Sequence, residues 1–207
     1  MNPQKSETKQ TEISIIGSGI AGITTAFHLG EKGYKVNLID PNVNSKINNL
    51  IPNNGSQASL GVLMGNIYKR STGRAFILRN KSMKLWKEWL TQIKDSESAF
   101  IFEKPLIKLA SSEKEYESMI ALSNNEKKYG IELLDKNTLN FWNYIFETKL
   151  IGGLISHEDG RLNPIKLIKS LMQSLDQFQI NKIDKNVCRI SKNSNLYDKS
   201  WNIVLEN

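Results

Sequence analysis

The chain has 207 residues, enough for one large domain or two small ones around a real hydrophobic core. With 39% hydrophobic and 24% charged residues it reads as an ordinary globular protein, and one cysteine excludes both an intrachain disulfide and a cysteine-rich zinc centre. The net charge of +7 is spread along the chain without an aromatic stacking pattern, so nucleic acid is not the expected partner.

Met1 to Glu12 is polar and charged and reads as a disordered lead-in. Residues 13–40 then read as one βαβ unit. A β-branched run, Ile13, Ile15 and Ile16, is followed by glycines at 17, 19 and 22, a helical stretch, Gly33, and a second apolar run ending in Asp40. Gly17 permits the tight turn out of the first strand, Gly19 a close approach of backbone to a pyrophosphate, and Gly22 close packing of helix on strands. The helix N-terminus faces the phosphates. Asp40, eighteen positions after Gly22, stands where a carboxylate accepts from a ribose 2′-hydroxyl and would repel a 2′-phosphate, which points to FAD or NAD over NADP.

The stretch from Pro41 to Gln57 is rich in Asn, Ser and Pro and reads as a loop. ASLGVLMGN follows, small residues and two glycines around an apolar strip. Ser71 to Lys94 has helical periodicity, with Phe76, Met83 and Leu90 on one face and Trp86, Trp89 and Ile93 beside it as core. The densest basic run, Lys69, Arg70, Arg74, Arg79, Lys81, Lys84 and Lys87, would mostly decorate its solvated side. Phe100 to Ala110 reads as a strand, edged or bent at Pro105. Ser112 with Glu115 makes a capping box for a helix that stops at Gly130. Ile131 to Leu134 is a short strand, and Asp135 caps one further helical turn. Leu150 to Ser156 reads as a strand returning toward the first domain, and Asp159-Gly160 as a turn. Pro164 opens a helix through about Phe178, and Val187 to Ile190 with Trp201 to Leu205 form a final strand pair. No apolar run is long enough to span a bilayer, so no membrane partner is expected. A reducing compartment fits the lone Cys188, and the expected location is the cytoplasm.

These residues resemble the FAD-dependent oxidoreductases of the D-amino-acid oxidase and glycine oxidase type. Three segments carry the resemblance: IIGSGIAGITTAFHLGEKGYKVNLID, the loop GSQASLGVLMG, and the turn SHEDGRLNP. The first is specific for dinucleotide binding but not for this family. The order and spacing of all three make the combination more specific than any one alone.

The resemblance implies an α/β fold, a Rossmann-like FAD-binding βαβ domain interrupted by a mixed α+β substrate-domain insertion and C-terminally incomplete. The implied division is a lead-in at 1–12, the first part of the FAD-binding domain at 13–95, a partial substrate domain at 96–156, and a return to the FAD-binding domain at 157–207. It further implies that Gly17, Ser18, Gly19, Ala21 and Gly22 hold the pyrophosphate and Asp40 the ribose. Ser59, Leu60, Gly61 and Val62 would line the flavin through their backbone, and the main chain of Val187 would meet the adenine. Ser59 is equally readable as a plain turn residue and Val187 as a plain strand residue. Asp159 and His157 read as turn formers, and His28 as a packing or surface residue.

The implied cofactor is FAD, and the implied reaction is oxidation of a C–N bond of an amino acid or amine by hydride transfer to the flavin. No catalytic residue is assigned, since no His/Asp or Ser/His constellation stands out. Family members continue well beyond the point reached here, so the chain is expected to be an N-terminal portion: a fragment, a split enzyme or a truncated product. Three other readings stay open. They are a non-catalytic dinucleotide-binding or assembly subunit that uses a second chain to complete its fold, an NAD-linked dehydrogenase, and a flavin-dependent tRNA-modifying enzyme.

Overall fold

The computed structural model describes residues 12–44, 54–68, 72–93, 102–126, 130–147, 149–193 and 200–207. In chain order the elements are β1 (Glu12–Ile16), α1 (Ile20–Glu31), β2 (Lys35–Ile39), β3 (Val62–Leu63) and α2 (Gly73–Trp89). There follow β4 (Leu106–Ala110), α3 (Glu113–Glu126), β5 (Ile131–Leu133), α4 (Lys136–Phe146) and β6 (Gly152–Ser156). The chain continues with β7 (Gly160–Arg161), α5 (Pro164–Ser174), β8 (Ile180–Ile183), β9 (Val187–Lys192) and β10 (Trp201–Leu205). These elements divide into two compact units: Met1–Ser59 with Ile93–Ser98 and Pro164–Asn207, and Leu60–Gln92 with Ala99–Asn163.

The first unit is built on a parallel sheet in the order β1-β2-β8. Its middle strand β2 fully encloses Val36 and Leu38, which share one face, while on the other face Ile39 is buried, Asn37 half-buried and Lys35 exposed. Helix α1 buries Ile23, Ala26, Phe27 and Gly30, a spacing of i, i+3, i+4 and i+7 that forms one apolar stripe. Pro164, Leu167, Ile168 and Leu171 do the same for α5. The Phe27 ring meets that of Phe178 edge-on at 5.4 Å. Strands β9 and β10 make a separate antiparallel ribbon.

The second unit holds an antiparallel sheet in the order β4-β6-β5. Ala110, Leu154 and Ile131 from its three strands pack with Met119 and Leu122 of α3 and with Ile67. A second, two-stranded ladder pairs β3 with β7, Val62 opposite Arg161 and Leu63 opposite Gly160.

The fold class expected from sequence is present, a parallel dinucleotide-type sheet with helices and a mixed α+β insertion. Several local expectations need correction. Glu12 opens β1 instead of closing the lead-in, and its carboxylate lies 3.7 Å from the Lys35 ammonium; the rest of the lead-in lies outside the described residues. The strand expected from Phe100 begins only at Leu106, because Pro105 has no N–H to give a ladder; Phe100 and Ile101 lie outside the described residues. Ser112 caps the Glu115 N–H at 3.4 Å, but the Glu115 carboxylate reaches back to the N–H of Ser111, one residue further than in a standard capping box. Asp135 caps three turns of helix instead of one, accepting from the N–H groups of Asn137 and Thr138. Strand β6, expected to return toward the first domain, is the centre of the second unit's sheet: Gly152–Ser156 pair with β4 on one side and Leu154, Ile155 and Ser156 with β5 on the other. Strand β8 carries no sequence expectation at all. Arg79 is not simply solvated, for its guanidinium lies over the Tyr68 ring, 4.3 Å from the centroid. Lys69 and Arg70 lie outside the described residues.

Candidate functional site

In the first unit the chain turns from β1 into α1 through Gly17, Ser18 and Gly19. Gly17 adopts φ +98°, a region costly for residues with a Cβ. Gly22 faces the Gly17 carbonyl so closely that a Cβ there would overlap its oxygen. Both glycines therefore do what their spacing predicts, the first shaping the turn and the other bringing helix against turn.

The turn is tied to the end of β2 at two points. The Gly17 N–H donates to the Ile39 carbonyl at 2.8 Å, and the buried Ser18 N–H donates to Asp40 Oδ2 at 2.8 Å. The other oxygen of Asp40 accepts from the Asn42 N–H, also at 2.8 Å. A carboxylate has about four acceptor positions, so Asp40 keeps capacity for hydroxyl donors while it fixes the loop.

Helix α1 presents an N-terminus with no acidic residue in its first turn, which suits an anionic ligand. Its Ile20 N–H donates to Ser56 Oγ at 3.0 Å. No sequence signal marks Ser56. It lies in an Asn-rich loop whose only visible signal is turn chemistry, and the structure shows that turn: Asn54 Oδ1 accepts from the Gln57 N–H at 3.0 Å. Ser59 closes the same turn, its Oγ donating to the Ser56 carbonyl at 2.8 Å. A polar cleft of about 220 Å³ opens beside the phosphate turn, lined by Ser18, Asn42, Asn54, Gln57, Asp176 and Lys182 among others. Lys182 is held there by Asp176 at 2.6 Å and by the Met172 carbonyl at 3.1 Å.

Of the other residues expected in the site, Val187 begins β9, half-buried, and does not line this cleft. His28 lies in α1, half-buried, with its Nδ1 3.7 Å from the Glu31 carboxylate. Leu60, Gly61 and Val62 belong to the second unit, where each is held by the segment after Asp159. Arg161 Nε donates to the Leu60 carbonyl at 3.0 Å, and the Leu162 N–H to the Gly61 carbonyl at 2.9 Å. Val62 pairs with Arg161 in the β3–β7 ladder. The two motifs ASLGVLMG and SHEDGRLNP, a hundred residues apart, thus meet as one ladder. Asp159 is no mere turn former: it is fully buried, and its carboxylate accepts from the N–H groups of Gly65, Asn66 and Ile67 at 2.6–3.1 Å. Next to it, Glu158 faces Lys87 and Lys104, and the hydrogen bond from Lys87 is the largest cause of a carboxyl held below the usual range.

The model of the FAD-dependent oxidoreductase family known as DAO matches residues 12–198. The chain belongs to this family. FAD is accordingly its cofactor, and the glycine turn, the α1 N-terminus and the unspent acceptor capacity of Asp40 fit the phosphate and ribose of such a group. Among solved structures, glycine oxidase from Bacillus cereus ATCC 14579 is 20% identical with TM-score 0.66, over 88% of this chain and 48% of its own. L-α-glycerophosphate oxidase from Mycoplasma pneumoniae, solved with FAD bound, is 21% identical with TM-score 0.72, over 95% of this chain and 50% of its own. L-amino acid deaminase from Proteus myxofaciens is 16% identical with TM-score 0.67, over 89% of this chain and 40% of its own. The chain therefore spans about half the length of these structures, or somewhat less. No curated protein sequence matches it. Among the described residues no helix is long and apolar enough to cross a membrane, and no group of side chains could hold a metal ion.

Proposed function

We propose that this chain supplies the cofactor-holding part of an FAD-dependent oxidoreductase that oxidises a C–N bond of an amino acid or amine. Bound FAD would supply the acceptor for the hydride leaving the substrate carbon. The observation that carries the reading is the Ser18–Asp40 hydrogen bond, which joins the phosphate turn to the ribose-reading carboxylate as one preformed element. Gly17, Ser18, Gly19, Ala21 and Gly22 hold the pyrophosphate, with the α1 N-terminus behind it. Asp40 accepts from the adenosine ribose, and the Val187 main chain meets the adenine. Ser59, Leu60, Gly61 and Val62 line the flavin through backbone groups. Residues 13–95 and 157–207 form the FAD-binding domain, and 96–156 belong to the substrate domain. The substrate is a small amine or amino acid, in keeping with relatives named as glycine oxidase and L-amino acid deaminase, and the protein works in the cytoplasm.

A second reading keeps the nucleotide site and gives the chain an assembly role. It is favoured by β1, which among the described residues pairs only with β2 and leaves Ile16 half-exposed, whereas the phosphate-loop strand of a doubly wound sheet has a neighbour on both sides. Under this reading a second chain supplies the further strand.

The purified protein should carry a visible flavin absorbance band, and Gly19→Val should abolish nucleotide uptake by blocking backbone approach. A colourless chain that takes up NAD and not FAD, or an undiminished Gly19→Val variant, overturns the reading. A panel of amines, amino acids and alcohols that bleaches the flavin under anaerobic conditions then identifies the substrate class.

A further inference from the structure

We propose that Asp159 is a positioning residue that sets the shape of the Leu60–Ile67 loop for the flavin end of the cofactor. The inference rests on the reading above that Leu60, Gly61 and Val62 line the flavin. Three successive backbone N–H groups make a concavity that ordinarily attracts an external anion. Here the N–H groups of Gly65, Asn66 and Ile67 converge on an internal one. Asp159 Oδ1 accepts from Gly65 at 2.8 Å and from Asn66 at 3.1 Å, and Oδ2 from Asn66 at 3.0 Å and Ile67 at 2.6 Å.

A buried charge is costly unless its hydrogen bonds are made, and Asp159 is fully enclosed with no cation paired to it among the described residues. Those amides are what keep it there, so the carboxylate and the loop fix each other. The arrangement is built on both sides. Asp159 is held by its own N–H, which donates to the buried Ser156 Oγ at 3.3 Å. On the loop, Gly65 lies against Met83 and Asp159, and a Cβ there would fall 2.7 Å from Met83 Cγ and 3.4 Å from Asp159 Oδ1. The residues after Asp159 continue the hold strand-wise, pairing with Leu63 and Val62 and donating to the Gly61 and Leu60 carbonyls. Asp159 therefore pins the far end of a loop whose near end, on the reading above, would line the flavin. The link is longer than any sequence-local signal, 92 to 94 residues from acceptor to donors.

Asp159→Asn keeps the shape but replaces one acceptor oxygen by an NH₂ group that meets N–H donors head on. The full chain is titrated with FAD and, separately, with ADP, which lacks the flavin. The expected result is FAD affinity weakened about tenfold or more, ADP affinity unchanged within about twofold, and a changed visible circular dichroism of the flavin that still binds. Equal FAD affinity in variant and parent overturns the proposal alone. A parent chain that binds ADP but not FAD overturns the flavin reading and the proposal with it. Should the variant fail to fold, hydrogen exchange on the parent decides. The Gly65, Asn66 and Ile67 amides should be protected and should slow further with FAD but not with ADP; exchange at open-loop rates, or equal slowing by ADP, overturns the proposal.

Discussion

The Asp40 carboxylate accepts the Ser18 N–H through Oδ2 and the Asn42 N–H through Oδ1, both at 2.8 Å, and so clamps the phosphate turn to the end of β2. One side chain thereby shapes the loop and addresses the ribose. Asp40→Ala should leave two N–H groups without their charged acceptor and cost about 1–3 kcal/mol. The expected outcome is a lowered melting temperature together with weakened FAD binding. A variant that loses affinity with unchanged stability would show that the clamp contributes nothing to the fold.

Gly22→Ala tests the other half of the turn. The added methyl overlaps the Gly17 carbonyl and meets Ile15 Cγ2 at 3.5 Å, so β1 and α1 must separate. FAD uptake should be lost and the melting temperature should fall, as read by flavin fluorescence and thermal denaturation.

Phe27 is fully buried in α1 against Phe178. Phe27→Ala should destabilise the first unit by about 3–5 kcal/mol, from lost transfer energy and the cavity left behind. Urea unfolding followed by circular dichroism measures it. Because Phe27 lies away from the turn, FAD affinity of the folded fraction should be retained.

The Glu158 carboxyl is lowered from 4.5, chiefly by the hydrogen bond from Lys87 and then by the charges of Lys87 and Lys104. A carboxylate depressed in the folded state contributes stability above its unfolded pKa, and that contribution disappears as pH falls through the folded value. The window is therefore acidic, below 4.5. Both partners are nearly half-exposed, so solvent screening keeps the effect small. Melting temperatures measured down through this range should fall less steeply for Glu158→Gln than for the parent chain.

The βαβ unit was legible because each part depends on local chemistry: glycines for a turn and a close approach, an apolar stripe for α1, an acid at a strand end. Strand β8 was not. Its residues INKI put two polar residues between two apolar ones and so break the period-2 pattern, and what makes them a strand is pairing with β2, far away in sequence. Strand β6 was visible as a strand, but its place at the centre of the second sheet depends on β4 and β5. The role of Asp159 is hidden for the same reason. Asp-Gly is a strong turn signal, and nothing near it announces three amide donors from the loop at Gly65. Ser56 was hidden in a run of turn-forming residues, where one hydroxyl looks like the next.

Equilibrium titration of the intact chain with FAD, with NAD as the competitor, tests the central claim most directly. Binding of one FAD per chain, with a flavin spectrum altered on binding and no displacement by NAD, is the predicted result. Failure to take up FAD, or preference for NAD over FAD, would contradict the assignment of Gly17–Gly22 and Asp40 to the flavin dinucleotide.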